Sequence, residues 1–208
     1  MQTFSFPVAT SIGDSAFAGC KFLTTVNLPS VSRIETAVFT NCTSLTTVDI
    51  PLANYINTFG FSGCTMLKTV SAPLVDHIYG TAFKGCTALE TAYFPKANHV
   101  DGDTFNGCTL LSIASFPSAS GIHGTSAFYR CFHLLSLYLL GSSCCILENA
   151  NAFVSTPISN YTTSTGGVYG SIFVPASLYS SYISATNWVT YSARFVSMTD
   201  EEIAALNT

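Results

Sequence analysis

Four residues with metal-ligand chemistry stand close to register along the chain: His77, His99, Asp101 and His123. Imidazole and carboxylate are competent ligands for zinc or nickel, so the four read as a candidate metal patch. They flank a column of branched aliphatics, Ile12, Ile34, Ile56, Ile78, Val100 and Ile122. Arg33, Tyr55, His77 and His99 form the line before that column; Glu35, Asn57, Tyr79, Asp101 and His123 form the line after it. If both lines face outward, the histidines and the aspartate meet across three successive copies of a repeat. Nothing in the sequence fixes their orientation through further partners, so a patch of solvated side chains is the favoured alternative. His133 lies in a less regular unit and is expected simply to be exposed.

The second chemistry-bearing set is the thiols. Of eight cysteines, six keep the period: Cys20, Cys42, Cys64, Cys86, Cys108 and Cys131. A reactive thiol needs exposure and a depressed pKa, whereas these positions read as buried. Free cysteine behaves as a small hydrophobe, and a column of it would pack on its own copies. Neighbouring copies would stand about 4.8 Å apart, inside the Cα range for a disulfide. Their Cβ vectors would run parallel, which favours reduced thiols. One column cannot surround a tetrahedral ion. Cys144 and Cys145 are adjacent and outside this column; two ordinary thiols are favoured over a strained vicinal bridge. There is no Gly-rich phosphate loop, no H-E-x-x-H and no G-x-S-x-G, and no cofactor is expected. Glu201 and Glu202 read as helix-cap residues. Asn41-Cys42-Thr43 and Asn160-Tyr161-Thr162 match the glycan acceptor pattern without adding weight to a function. No enzyme is expected; a metal-dependent one at the His patch is the weakest reading.

What must position these side chains is a repeat. Phe17, Phe39, Phe61, Phe83 and Phe105 return every twenty-two residues, with Phe128 one residue late. Each is followed three residues on by the cysteine and three further on by Leu23, Leu45, Leu67, Leu89, Leu111 or Leu134. A fixed period of this length marks a stacked solenoid, in which each unit buries its apolar side only against its neighbours. Leu23, Val26 and Leu28 give a period-two strand signal, repeated by Val48 and Ile50, by Val70 and Ala72, and by Ala92 and Phe94. Pro29, Pro51, Pro73, Pro95 and Pro117 close those strands, which should stack in parallel as one sheet. The aliphatic column predicts a second short extended piece on the opposite side of each coil. Gly19, Asn41, Gly63, Gly85 and Gly107 share a column after the Phe, where a positive φ is expected; Arg130 occupies it in the sixth copy.

The pattern F-x-G-C-x-x-L-x-x-V-x-L-P over residues 1–140 resembles the BspA-like leucine-rich repeats. The resemblance implies a leucine-rich repeat solenoid: a right-handed β/α superhelix of the α/β horseshoe type. Its parallel sheet would line the concave side, with short irregular or helical turns on the convex side. It also implies a bacterial cell-surface or extracellular setting, where some members act as adhesins. On that sheet Thr25, Thr47, Thr69 and Thr91 fall in one exposed line, beside Asn27, Asp49, Ser71, Tyr93, Ser115 and Tyr138. A Thr ladder can simply stabilise a sheet. The functional reading is a contact surface on Thr47, Asp49, Thr69 and Thr91, with Tyr93 and Tyr138 as amphipathic anchors.

Beyond residue 140 the step is lost. Residues 141–170 read as a degenerate repeat, with Ala152-Phe153 echoing its start, then a Ser/Thr/Gly loop. Residues 171–208 resemble the family's C-terminal cap. There a short helix should open at Pro175 or Ala176, with Leu178, Tyr182 and Ile183 facing inward and Trp188 and Tyr191 packed beneath. Thr199 and Glu202 form a capping box for a last helix to about Leu206. The first residues enter mid-unit, with Met1, Phe4, Phe6 and Pro7 in the Leu, Val, Leu and Pro columns. An uncapped first coil leads us to expect a fragment of a longer protein, or self-association there. Charged residues are 9% of the 208, and the net charge is −4 with a pI near 5.4, so there is no basic field for nucleic acid. No apolar run suggests membrane insertion, and no secretion signal is visible. The expected role is recognition of a host matrix protein or a glycan, or else a structural spacer with no ligand.

Overall fold

The structure is a computed structural model that describes residues 2–206, with side chains from Phe6 to Leu206. Met1 and the side chain of Phe4 lie outside what is described. The Phe4 backbone pairs in register with Val26, as its column requires.

Each coil makes three stretches of inter-coil hydrogen bonding. The first is the sheet of the Thr line. Thr47, Val48 and Asp49 alternate exposed, buried and half-buried, the period-two pattern of a half-solvated strand. Thr25 pairs with Thr47 and Thr47 with Thr69, all in parallel. The expected single sheet is in fact two ladders among the described residues. Gln2–Ser5, Leu23–Asn27, Thr47–Asp49 and Thr69–Ser71 form one; Thr91–Tyr93, Ile113–Ser115, Ser136–Tyr138, Ser171–Pro175 and Phe195–Met198 form the other. The break falls where side-chain size changes in the buried column. Ala72 there is followed by Phe94, and Val70 is only half-buried. A methyl followed by a phenyl ring in a close-packed column is a mismatch that the backbones must absorb, and the ladder stops at that step.

The second stretch is the aliphatic column. Arg33–Ile34, Tyr55–Ile56, His77–Ile78, His99–Val100, Gly121–Ile122 and Ile146–Leu147 form a parallel sheet of two-residue strands. Ile34, Ile56, Ile78, Val100 and Ile122 are fully buried in it. The third stretch is the Phe turn, where alternate amides reach the next coil: Ala37 donates to the Thr58 carbonyl, Phe39 to Gly60 and Asn41 to Ser62. The expected positive φ holds at Gly19, Asn41, Gly63, Gly85, Gly107 and also Arg130. A second left-handed column four residues earlier was not expected: Ser15, Ala37, Phe59, Thr81, Asp103 and Ser126 all have φ of 57° to 65°. Two left-handed residues per turn aim the alternating amides at the following coil. Among the described residues no helix interrupts the repeats up to residue 149; the turns are irregular.

The Phe rings lie in one file inside these walls. Phe17, Phe39, Phe61, Phe83, Phe105 and Phe128 are spaced 5.4–5.5 Å with planes within 11°. Phe153 continues the file at 5.2 Å, so the degenerate unit still stacks.

The cap closes both sheets by different means. Ile172 and Phe173 carry the Thr-line sheet on from Leu137 and Tyr138. The aliphatic sheet ends at Ile146–Leu147, and side chains replace the missing strand. In earlier coils the Ser120 and Ile122 carbonyls accept from the Ile146 and Glu148 amides. At the last coil Trp188 Nε1 donates to the equivalent Cys145 carbonyl at 2.6 Å, and Asn187 Nδ2 to that of Leu147 at 2.8 Å. The amide of Cys145 donates to the Tyr182 hydroxyl at 2.9 Å. The cap helices are α1, Tyr179–Ser184, and α2, Asp200–Ala205, the latter with the expected Thr199–Glu202 capping box. Tyr182, Trp188 and Tyr191 are buried as expected.

Replacing Phe83 by Ala removes a ring held by two neighbours at 5.4 Å. We expect a loss of about 3–5 kcal/mol in urea unfolding, and a loss under about 1 kcal/mol would contradict a shared file. Trp188→Phe keeps a ring but removes the donor to Cys145. It should cost about 1–3 kcal/mol, as an orphaned buried carbonyl does.

Candidate functional site

The thiol column packs inside the stack. All eight cysteines are free; Cys42, Cys64, Cys86, Cys108 and Cys131 are buried, while Cys20, at the first full coil, is half-buried. Each buried repeat thiol donates to the Phe carbonyl of the preceding coil. Cys64 Sγ stands 3.0 Å from the Phe39 oxygen, Cys86 3.1 Å from that of Phe61, and Cys108 3.2 Å from that of Phe83. That carbonyl also accepts the backbone amide of its own coil's cysteine, as Phe39 does from Cys42. Burial pushes the thiols of Cys86, Cys108 and Cys131 far up, so they stay protonated and are poor nucleophiles.

His77, His99, Asp101 and His123 do come together on the outer face of the aliphatic sheet. His77 Nε2 lies 3.3 Å from Asp101 Oδ2, and the His77 ring stacks on Tyr79 at 4.0 Å. His99 Nδ1 lies 2.9 Å from His123 Nε2. Asn98 Nδ2 is 3.3 Å from His99 Nε2, and an amide NH2 can only donate. That assigns the His99 proton to Nδ1, from which it donates to His123, and the His123 proton to Nδ1, which faces Glu148 Oε2 at 3.9 Å. The nitrogens are thus spent on a directed chain along the stack. No three of the His, Cys, Asp and Glu side chains converge on one point among the described residues. His133 is not simply exposed: its half-buried ring donates from Nδ1 to the Thr109 carbonyl at 2.7 Å.

The Thr-line sheet changes character along its length. Thr47, Thr69 and Thr91 are exposed and Asp49 is half-buried, with small neighbours throughout. At Tyr93, 51% exposed, the adjoining row turns aromatic. Register sets Tyr93 beside Ser115, Ser115 beside Tyr138 and Tyr138 beside Phe173. The Tyr138 and Phe173 rings stack at 4.6 Å. A cavity of about 370 Å3 opens here, lined by Tyr93, Ile113, Ser115, Pro117, Tyr138 and Leu140 from the sheet side and by Ile203 and Leu206 from the α2 side. Phe173 and the α2 residues were not foreseen as neighbours of the Tyr pair, because the step from Tyr138 to Phe173 leaves the period. The one available sign was the I-F-V-P run, whose alternation is that of a strand. A larger cavity, about 510 Å3, is walled by Cys144, Cys145 and the Asn187–Trp188 plug. Burial raises Cys145 to about 12 there, and its carbonyl and amide are held by Trp188 and Tyr182.

Burial first, then the charges of His123 and His77, holds His99 below its ordinary value near 6.5. The folded state therefore prefers neutral His99. Stability is full above pH 6.5; as pH falls below it the unfolded chain takes the proton first and stability drops, levelling off below the folded pKa. Comparing urea midpoints at pH 7.5 and pH 5.5, His99→Gln should show a smaller acid loss than the parent. An equal loss would contradict the neutral chain.

The sequence matches the model for the BspA type leucine rich repeat region in six copies, over residues 1–110 and 34–157. No curated protein matches it. Among solved structures, a leucine rich cell surface protein of Faecalibacterium prausnitzii is 25% identical with a TM-score of 0.53, over 65% of this chain and 46% of that one. The chain thus spans under half the length of that protein. A leucine rich repeat protein of Treponema pallidum is 20% identical with a TM-score of 0.51, over 64% and 77% of the two chains, and shares the fold. No described helix is long and apolar enough to cross a membrane. Such a scaffold is a protein-interaction or structural module, and with most of its length matched this chain belongs to the BspA-type leucine-rich repeat family.

Proposed function

We propose that this chain is a non-enzymatic recognition module of a larger bacterial surface or secreted protein, which grips a protein or glycan through the Thr-line sheet. The observation that carries the reading is the change along that face. Small polar residues, Asn27, Asp49 and Ser71, give way to Tyr93, Tyr138 and Phe173 beside an open cavity. A stack that only had to keep its sheet together needs no half-exposed Tyr on it, whereas aromatic anchors of this kind dominate contact energetics. The surface setting draws on the family and on the Faecalibacterium cell surface protein.

The second reading, a spacer without a ligand, is favoured by the plain Thr47, Thr69 and Thr91 stretch, which suits a strand surface with no other task. An array of matrix proteins and neutral glycans separates the two. Recognition predicts saturable binding, at least tenfold weaker in the Tyr93→Ala/Tyr138→Ala double variant and weakened by a smaller factor in Thr47→Ala/Thr69→Ala. A tenfold loss is about 1.4 kcal/mol. Binding to nothing on the array, or binding indifferent to the two tyrosines, would favour the spacer.

A further inference from the structure

We infer that the sheet carries a slot for one uncharged planar aromatic ring, above Ser115, between Tyr93 and Tyr138 and beneath α2. The inference rests on the recognition reading of this face and names the chemistry that the face would grip.

The argument starts from a ladder with a gap in it. Residues in one row of a parallel sheet point to the same face, one strand step apart, about 4.8 Å. Tyr138 and Phe173 follow that rule as rings, with centroids at 4.6 Å and planes within 13°. The row read backwards is Phe173, Tyr138, Ser115, Tyr93. Three of its four places hold an aromatic residue, and Ser115 holds a hydroxymethyl group. Tyr93 and Tyr138 are therefore two strand steps apart, about 9.6 Å. That opening admits one ring at stacking distance from each side, since aromatic pairs favour centroid separations of about 4.5–7 Å. A guest over Ser115 would complete a file of four rings.

The walls fit such a guest. Ile113 lies two residues before Ser115 on the strand and Pro117 two residues after it in the following turn, and Leu140, Ile203 and Leu206 close the remainder. The volume, about 370 Å3, falls within the range of small-ligand sites. Among the described residues no charged side chain lines the cavity, so an ionised guest would lose its hydration without a partner from them. The phenol groups and the Ser115 hydroxyl offer hydrogen bonds at the edges, as a ring N–H or O–H would use. α2 lies over the row with no residue of its own buried, and its N-terminal capping box sets the Thr199 amide on Glu202 Oε2 at 2.8 Å.

The ring could come from a free aromatic compound or from an exposed aromatic side chain of a partner. Indole and the amide of Gly-Trp-Gly represent the two sources; benzoate and methyl glucoside are the charged and non-aromatic controls. Each is titrated into the 15N-labelled chain and followed by chemical-shift changes at residues 93, 115 and 138. We expect saturable shifts with indole, with the peptide or with both. Binding to indole alone identifies a small-molecule site, and binding that is stronger for the peptide identifies a partner's side chain. Ser115→Tyr puts the chain's own ring in the gap and should weaken binding at least tenfold, while Ser71→Tyr, in the same row but outside the cavity, should leave it unchanged. Ser115→Ala, which keeps the gap open, should still bind and guards against a folding defect in the Tyr variant. No saturable shift with indole or peptide, equal binding by Ser115→Tyr, or preference for benzoate or methyl glucoside overturns the slot. The two proposals can fail separately. An array partner indifferent to Ser115→Tyr would leave recognition standing without the slot, and indole binding with no array partner would leave the slot without the wider role.

Discussion

In a stack of coils, the peptide groups at each coil's edge have no partner within their own coil. They bond to the coil above or below or they stay buried and unpaired, which costs on the order of 1–3 kcal/mol each. This one requirement organises the molecule. Along the aliphatic sheet, amides reach back to the previous coil, as Asn57 does to Ile34; around the Phe turn they reach forward, as Phe39 does to Gly60. Each coil is thereby tied in both directions, and no buried side-chain oxygen or nitrogen among the described residues lacks a partner. The cysteines answer the same requirement from the inside, giving the Phe carbonyls of the preceding coil a second donor.

The cap follows from the same rule. A stack that stops leaves a row of carbonyls facing solvent or a poorly matched surface. Here the row at Cys145 and Leu147 meets Trp188 and Asn187, side chains that stand where the amides of another coil would be. Asn187 holds φ 64° and ψ −36° there, a backbone conformation that side-chain-bearing residues rarely adopt. The Thr-line sheet needs no such plug, since the cap itself adds the Ser171–Pro175 and Phe195–Met198 strands. The same addition brings Phe173 next to Tyr138 and sets α2 across the aromatic row, so the device that seals the stack also shapes the cavity.

Interior columns stay almost wholly apolar from coil to coil, even where size changes as between Ala72 and Phe94, so most polar variation falls on the outer rows. The rows that vary are those in which binding can reside: the Thr line with its aromatic turn at Tyr93, and the His99–His123 chain on the opposite sheet. The latter shows how a suggestive residue set can be absorbed by the fold. Three imidazoles on adjacent coils are brought within 5.0–5.1 Å of one another by the stack itself, and they settle their hydrogen bonds among themselves, Asn98 and the nearby carboxylates.

Repetition makes some of this legible without coordinates. The Phe file, the buried thiols, the two strand segments per coil and the left-handed Gly column all follow from which residues return at which step, because a side chain packed on its own copy must recur wherever the copy does; the Thr199–Glu202 box is legible from its local spacing alone. The second left-handed column was hidden, since Ser, Ala, Phe, Thr and Asp share no common feature at Ser15, Ala37, Phe59, Thr81 and Asp103; their φ is imposed by amides that must point at the next coil. The ladder break at Ala72 and Phe94 depends on how two unlike volumes meet, and the neighbourhood of Tyr138, Phe173 and Leu206 on where the chain returns after its period is lost. Sequence alone decided what lies inside each coil, for burial against a copy is a local and periodic demand. Only the tertiary structure decided which outer residues become neighbours once the period ends, because that depends on the path of a chain no longer bound to repeat itself.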